Sequence, residues 1–308
     1  MSKRILFFGN ERLATGVHSS VPTLQALIAN GYEVAAIVAA QAPIGQSRQQ
    51  RQLEIEAIAQ QNSIPLLTPT DLTAASHQLA NFDAEAAVLI AYGKIVPEAI
   101  LGLFSRGIIN IHPSLLPLHR GSAPIENVIL NSEAQTGVSL IHLSAKMDAG
   151  PIYAQKTVTL NGSETKQSLA DQLSTIGTGM VLEYLPKVLD GSLTPTPQNE
   201  PDATYDRHIT KADSKLDWNK PAVRLEREVR AYYGWPRSKT TLFNKDIIVT
   251  KARVIDGPAG KPGTTWLENR ELGVHTSEGI LAIGRLIPAG KSEMTAAAFL
   301  AGYKPMSS

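Results

Sequence analysis

The sequence predicts an α/β protein: an N-terminal open, mostly parallel, Rossmann-like sheet with helices on both faces, then a small C-terminal β-barrel of the oligonucleotide-binding type. Three observations carry that expectation. Apolar runs of strand length alternate with helix-spaced segments through the first part of the chain. A proline-rich stretch with almost no apolar residues follows, and five short strand-like segments separated by turn residues come after it.

In order, Ile5-Leu6-Phe7-Phe8 is a short apolar strand ending at Gly9. Residues 23–30 read as a helix closed by Gly31, since glycine readily takes the left-handed cap conformation. A second strand is expected at 34–40, with a helix around 53–60. The runs 86–91 and 108–111 are continuously apolar, as parallel strands buried on both faces are. Another strand is expected at 138–143, and 169–189 carries apolar residues at helical spacing. Residues 1–189 therefore form one expected domain, and 190–204, holding Pro195, Pro197 and Pro201, an extended linker. Residues 205–308 form the second. It opens with a helix whose first turn holds Pro221 and which runs through 224–231. Strands are expected at 240–243, 247–252, 263–267, 273–275 and 280–283.

With 308 residues, 43% hydrophobic and 19% charged, the chain has the composition of a globular protein able to bury a core. Cysteine is absent, which excludes disulfides, thiolate metal sites and a cysteine nucleophile. The apolar run 5–8 is too short for a signal peptide, and no run approaches a membrane span. A soluble, cytoplasmic protein, monomeric and without membrane association, is expected. The net charge of +1 hides an asymmetry. Residues 1–204 hold 12 Lys+Arg against 17 Asp+Glu, whereas 205–308 hold 17 against 11, so a polyanion is an expected partner of the second part.

The densest chemical signal is Asn110-Ile111-His112-Pro113-Ser114-Leu115-Leu116-Pro117. Side chains alternate along a strand, so Asn110 and His112 share a face, and Pro113 ends the strand. In an α/β sheet the carboxyl end of a strand is where ligands bind. Histidine exchanges protons near neutral pH, and an asparagine amide donates to a developing oxyanion. The same pair also fits two buried polar side chains satisfied by neighbouring loops. Asp148, in Lys146-Met147-Asp148-Ala149-Gly150, follows the next strand and could approach His112, although Asp-x-Gly is common turn chemistry too. No metal-ligand spacing, no Gly-x-Ser-x-Gly elbow and no Gly-x-Gly-x-x-Gly fingerprint appears, so no metal is expected.

The run from Asn110 to Pro117 is followed by Arg120-Gly121-Ser122-Ala123-Pro124-Ile125, Thr136-Gly137-Val138 and Met147-Asp148-Ala149-Gly150. Together these resemble the folate-dependent formyltransferase family. Ala91-Tyr92-Gly93-Lys94-Ile95 is similar to that family's folate-pocket loop. Past the linker, Thr204-Tyr205, Leu216-Asp217-Trp218, Gly234-Trp235-Pro236 and Pro288-Ala289-Gly290-Lys291 resemble the C-terminal part of the members that act on methionyl-tRNA. The resemblance implies Asn110, His112 and Asp148 as catalytic residues. It implies that Ser114, Leu115, Leu116 and Pro117 border the folate and that Tyr92 and Gly93 contribute to its pterin pocket. The implied donor is 10-formyltetrahydrofolate, the released partner tetrahydrofolate, and the implied acceptor initiator methionyl-tRNA. Lys211, Arg230 and Arg237 are candidate tRNA contacts in the second part. A formyltransferase for a sugar-nucleotide amine is the alternative, and the basic second part favours tRNA. Three departures from the family stand out. The first loop, 9–18, is longer than the usual Gly-Thr-Pro-Asp turn. The loop 41–51 is shorter and poorer in lysine, leaving Arg48 and Arg51 as candidate acceptor-stem contacts. His119 replaces a common tryptophan.

Overall fold

The computed structural model describes residues 3–40 and 54–303. Its first element shows how sequence becomes layers. In β1 (Arg4–Gly9), Ile5 and Phe7 enter one apolar core, while Leu6 and Phe8 enter another on the opposite face. A strand buried on both faces has no polar side, and for that reason reads as an unbroken apolar run. Fully burying each such side chain is worth about 1.5–3 kcal/mol.

The first part continues through α1 (Pro22–Ala29), β2 (Glu33–Val38), α2 (Glu54–Gln61), β3 (Leu66–Leu67), α3 (Ser76–Ala80), β4 (Ala86–Ile90) and α4 (Glu98–Leu101). It ends with β5 (Ile108–His112), α5 (Pro124–Asn131), β6 (Gln135–His142), β7 (Ile152–Thr159) and α6 (Lys166–Leu189). The strands form one seven-stranded sheet in the order β3-β2-β1-β4-β5-β6-β7. Strands β1 to β5 pair parallel, and β6 and β7 join antiparallel. Helices α1, α2, α5 and α6 contribute to one core, α3 and α4 to the other. Chain direction across the sheet reverses between β1 and β4, which makes their carboxyl ends the switch point where such folds bind ligands.

The second part holds α7 (Ala222–Ala231), β8 (Ser238–Leu242), β9 (Lys245–Ile255), β10 (Thr265–Glu268), β11 (Glu271–His275), β12 (Ile280–Pro288), β13 (Met294–Thr295) and α8 (Ala296–Gly302). All its strand pairs are antiparallel, in the order β10-β11-β12-β9-β8, with β13 on β12. This is a small β domain around a core that includes Leu225, Leu272, Leu281 and Phe299. Pro221 sits just before α7 as its N-cap, one position earlier than expected.

Residues 190–204, which include a short 3-10 helix at Glu200–Asp202, are not a free spacer. Thr196 exchanges both backbone hydrogen bonds with Ile152, each 2.8 Å. Farther on, the Arg120 N–H donates to the Thr204 carbonyl, and the Asp206 N–H to the Arg120 carbonyl, both at 2.9 Å. The unusual first loop also acquires a structural reason. Gly16, at φ +83°, lies so close to Trp235 that a Cβ would fall 2.7 Å from it. Lys166 Nζ, buried below, donates to the carbonyls of both Thr15 and Trp235. The loop is thus pinned between the two parts of the chain. Among the described residues, no helix is long and apolar enough to cross a membrane.

Candidate active site

Beyond the switch point lies a cleft of about 470 Å³. Its walls come from the loop after β1, the loop after β4, the end of β5, and the loop after β6. Alternation along β5 explains its floor. Ile109 and Ile111 point into the first core and Ile108 into the second. Asn110 and His112 lie on the Ile108 face, where the core gives way to the cleft.

Asn110, His112 and Asp148 all line this cleft. Asn110 is buried, and among the described residues its side-chain amide bonds to no protein group, so its donor and acceptor are open to a ligand. His112 Nε2 lies 2.9 Å from the His119 carbonyl. A carbonyl only accepts, so Nε2 carries a proton in either charge state of the ring, and Nδ1 is the nitrogen that gains and loses one. Nδ1 stands 3.5 Å from Asp148 Oδ1, a distance for charge attraction rather than a committed hydrogen bond. The other carboxylate oxygen, Oδ2, accepts from the Gly121 N–H at 2.8 Å. Asp148 holds φ +49° and Gly121 φ +110°, so both turns are built to bring these groups together.

The residues that secure this arrangement escaped sequence reading. Arg120 is fully buried and satisfies all five of its N–H groups: two on Gln198 Oε1, two on Glu200 and one on Tyr205 Oη. Gln198 in turn donates to the carbonyls of Asp148 and Gly150, each at 2.7 Å. A guanidinium and an amide therefore tie residues 198–205 to the backbone of the cleft aspartate. His119, next to Arg120, sits between Asp206 and Glu133, which raise its pKa to about 9 against the effect of burial. His208, from the second part, also lines the cleft, with Nδ1 2.9 Å from Ser122 Oγ. Two exposed apolar side chains, Ile95 and Met147, lie on the cleft's lips, each preceded by a lysine.

Other expected site residues are placed less directly. Tyr92 and Gly93 line the cleft, but the Tyr92 ring is buried edge-on to Phe8, its hydroxyl without a hydrogen-bond partner among the described residues. Burial raises the pKa of that hydroxyl. Gly93 has open space where a side chain would stand. Ser114, Leu115, Leu116 and Pro117, expected to border the folate, follow the cleft residue Pro113 without lining the cleft themselves. They turn behind β5, where Ser139 Oγ donates to the Ser114 carbonyl and accepts from the Leu116 N–H. Ser114 Oγ is spent on the Leu118 carbonyl. The turn shapes the strand end from beneath.

Of the basic candidates, Lys211 is exposed and Arg237 lines a groove of about 760 Å³ in the second part. Lys215, Lys239, Lys291 and Trp218 share that groove. Arg230 is otherwise engaged: it pairs with Glu226 at 2.7 Å and donates to the Glu164 carbonyl at 2.8 Å. Its charge serves the contact between the two parts of the chain. Arg48 and Arg51 lie outside the described residues. Among those residues no cluster of His, Asp and Glu is arranged to hold a metal ion.

A doubly wound sheet with an amide, an imidazole and a carboxylate in a cleft beyond its strand ends has the parts of an enzyme site, and comparison assigns its class. The Formyl transferase family matches residues 3–185, its C-terminal domain family matches 208–304, and the chain belongs to this family. The methionyl-tRNA formyltransferase of Thermodesulfovibrio yellowstonii is 35% identical over 307 residues, 99% of this chain and 97% of that one. Two solved structures share the fold. HypX from Aquifex aeolicus, in complex with tetrahydrofolic acid, superposes with a TM-score of 0.68 at 19% identity over 97% of this chain, which spans about half (47%) of that longer protein. An N-formyltransferase from Helicobacter canadensis, in complex with folinic acid and dTDP-3-aminofucose, gives 0.67 at 18% identity, covering 92% of this chain and 99% of that one.

Proposed function

We propose that this chain transfers the formyl group of 10-formyltetrahydrofolate to the α-amino group of initiator methionyl-tRNA, giving N-formylmethionyl-tRNA for translation initiation. The carrying observation is the convergence of the free Asn110 amide, the exchangeable Nδ1 of His112 and the Asp148 carboxylate in one cleft. Full-length similarity to methionyl-tRNA formyltransferases supports the acceptor.

The cleft suits a folate. Its volume is within the range of small-molecule sites, and Gly93 leaves room against one wall. Tyr92, Gly93 and the lips around Ile95 and Met147 would hold the donor, which supplies a formyl carbon bonded to N10. The acceptor amine attacks that carbon, and negative charge builds on the formyl oxygen. The Asn110 amide and the protonated Nδ1 of His112 donate to that oxygen. Asp148, 3.5 Å from Nδ1, carries the proton through a water from the attacking amine to N10 as the carbon–N10 bond breaks. No residue needs to form a covalent bond. The reading places the enzyme in the cytoplasm, acting as a monomer.

The groove with Lys215, Arg237, Lys239 and Lys291 is the proposed track for the tRNA backbone, with Lys211 exposed elsewhere on the same part. If three or four phosphates are neutralised there, affinity for tRNA falls about 100-fold between roughly 50 and 200 mM salt. Replacing Lys215 and Lys239 together by Ala reduces the slope of log affinity against log salt by about two. Filter binding across salt concentrations measures both, and salt-independent affinity would remove the groove from the reading. The acceptor itself is tested by offering the formyl donor with methionyl-tRNA and with an amino-sugar nucleotide in competition. Formyl on the tRNA is expected, and formyl on the sugar alone would favour the alternative.

A further inference from the structure

His119 occupies a junction that formyl transfer as described above does not use. Its Nδ1 lies 2.9 Å from Asp206 Oδ1 and its Nε2 2.9 Å from Glu133 Oε1. Carboxylates only accept, so both ring nitrogens carry protons and the side chain is an imidazolium. The same residue's N–H donates to Thr204 Oγ1 at 2.8 Å, and its carbonyl accepts from His112 Nε2 at 2.9 Å. It holds φ +59°, a conformation that surrounding contacts must enforce in a residue with a side chain.

We propose that His119 is a positioning residue: clamped between Glu133 and Asp206, its ring fixes the carbonyl that orients His112, and so couples the set of the catalytic histidine to the docking of residues 204–206. The proposal rests on the formyl-transfer reading of the same cleft. Other charged groups nearby are already committed. Arg120 is held by Glu200, Asp148 lies beyond His112, and Glu126 of α5, which acts on Asp206 at longer range, pairs with Lys166. None of them can replace the His119 charge. When the ring loses a proton, one nitrogen turns a lone pair toward a carboxylate, Asp206 and Glu133 repel, and the loop is released from its strained backbone. The bond to Asp206, chief among the causes that raise this pKa to about 9, places that loss on the alkaline side.

The test uses the full-length protein, measuring kcat for formyl transfer from about pH 6 to 10 together with the nitrogen NMR signals of the His112 ring. In the wild type, kcat falls with a midpoint near pH 9, and His112 shows one neutral tautomer, protonated at Nε2. His119→Gln lowers kcat by about tenfold below about pH 8, leaves KM for the donor within about twofold, abolishes the alkaline limb and mixes the His112 tautomers. His119→Lys, cationic to about pH 10, restores most of the rate and moves the limb upward. Wild-type kcat and an unchanged limb in His119→Gln, or a single His112 tautomer in that variant, would overturn the proposal. If the wild type formylates no acceptor, the functional reading fails, while the tautomer still decides the positioning role. Should His119→Gln not fold, His119→Lys and its limb decide it.

Discussion

Asp148→Asn is expected to lower kcat for formyl transfer by on the order of 100-fold or more while donor affinity stays within a few-fold. The substitution is nearly isosteric. Its amide oxygen can still accept from the Gly121 N–H, and the backbone carbonyl still accepts from Gln198, so the turn at φ +49° persists. What disappears is the negative charge 3.5 Å from His112 Nδ1. Without it the amine's proton has no carboxylate to pass through. The loss therefore falls on kcat rather than on KM, as for an interaction made only in the transition state. Steady-state kinetics of the folded variant measure it, and an equal fall in donor affinity would recast Asp148 as a binding residue.

Lys166→Met is expected to destabilise the protein by about 3–5 kcal/mol. Lys166 is wholly buried and Glu126 nearly so, with Nζ 3.3 Å from Oε1. Burial pushes the glutamate pKa up and the lysine pKa down, and each partner's charge opposes that effect on the other. Removing the ammonium leaves a carboxylate in the interior whose second oxygen, Oε2, already lacks a partner among the described residues. It also frees the carbonyls of Thr15 and Trp235, and with them the contact between the first loop and the second part of the chain. At this chain length the melting temperature falls by about 10 °C. Adding Glu126→Gln recovers much of that loss, because the stranded charge goes too. Thermal melts of the three proteins settle the matter. Equal stability of wild type and Lys166→Met would show that water reaches the pair.

The parts of the fold that the sequence announced are those whose environment is uniform. β1, β4 and β5 are buried on both faces, and unbroken apolar runs say so. β7 was missed because it is an edge strand, with Gln155, Lys156 and Thr157 exposed. α5 was missed for the opposite reason. Pro124, Ile125, Glu126, Val128, Ile129 and Leu130 are all buried, and in so short a helix only Asn127 and Asn131 are left to mark a polar side. In the cleft, Asn110 and His112 stood out because β-strand alternation is a local rule. The bond from His112 to the His119 carbonyl and the hold of Gln198 on Asp148 join residues through backbone atoms, which carry no residue-specific signature. In the Ser114 to Pro117 turn, Ser114 Oγ donates to the Leu118 carbonyl and the Leu116 N–H donates to Ser139 Oγ on β6.

The most direct measurement is single-turnover formyl transfer to methionyl-tRNA with saturating donor, comparing wild type with His112→Ala. Donor binding, followed separately by calorimetry, is expected to survive, because the loops after β4 and β6 that frame the cleft remain. The transfer rate is expected to fall at least about 100-fold, since one oxyanion donor and the exchangeable proton are both gone. A His112→Ala protein that binds donor and transfers formyl at the wild-type rate would contradict the proposed chemistry.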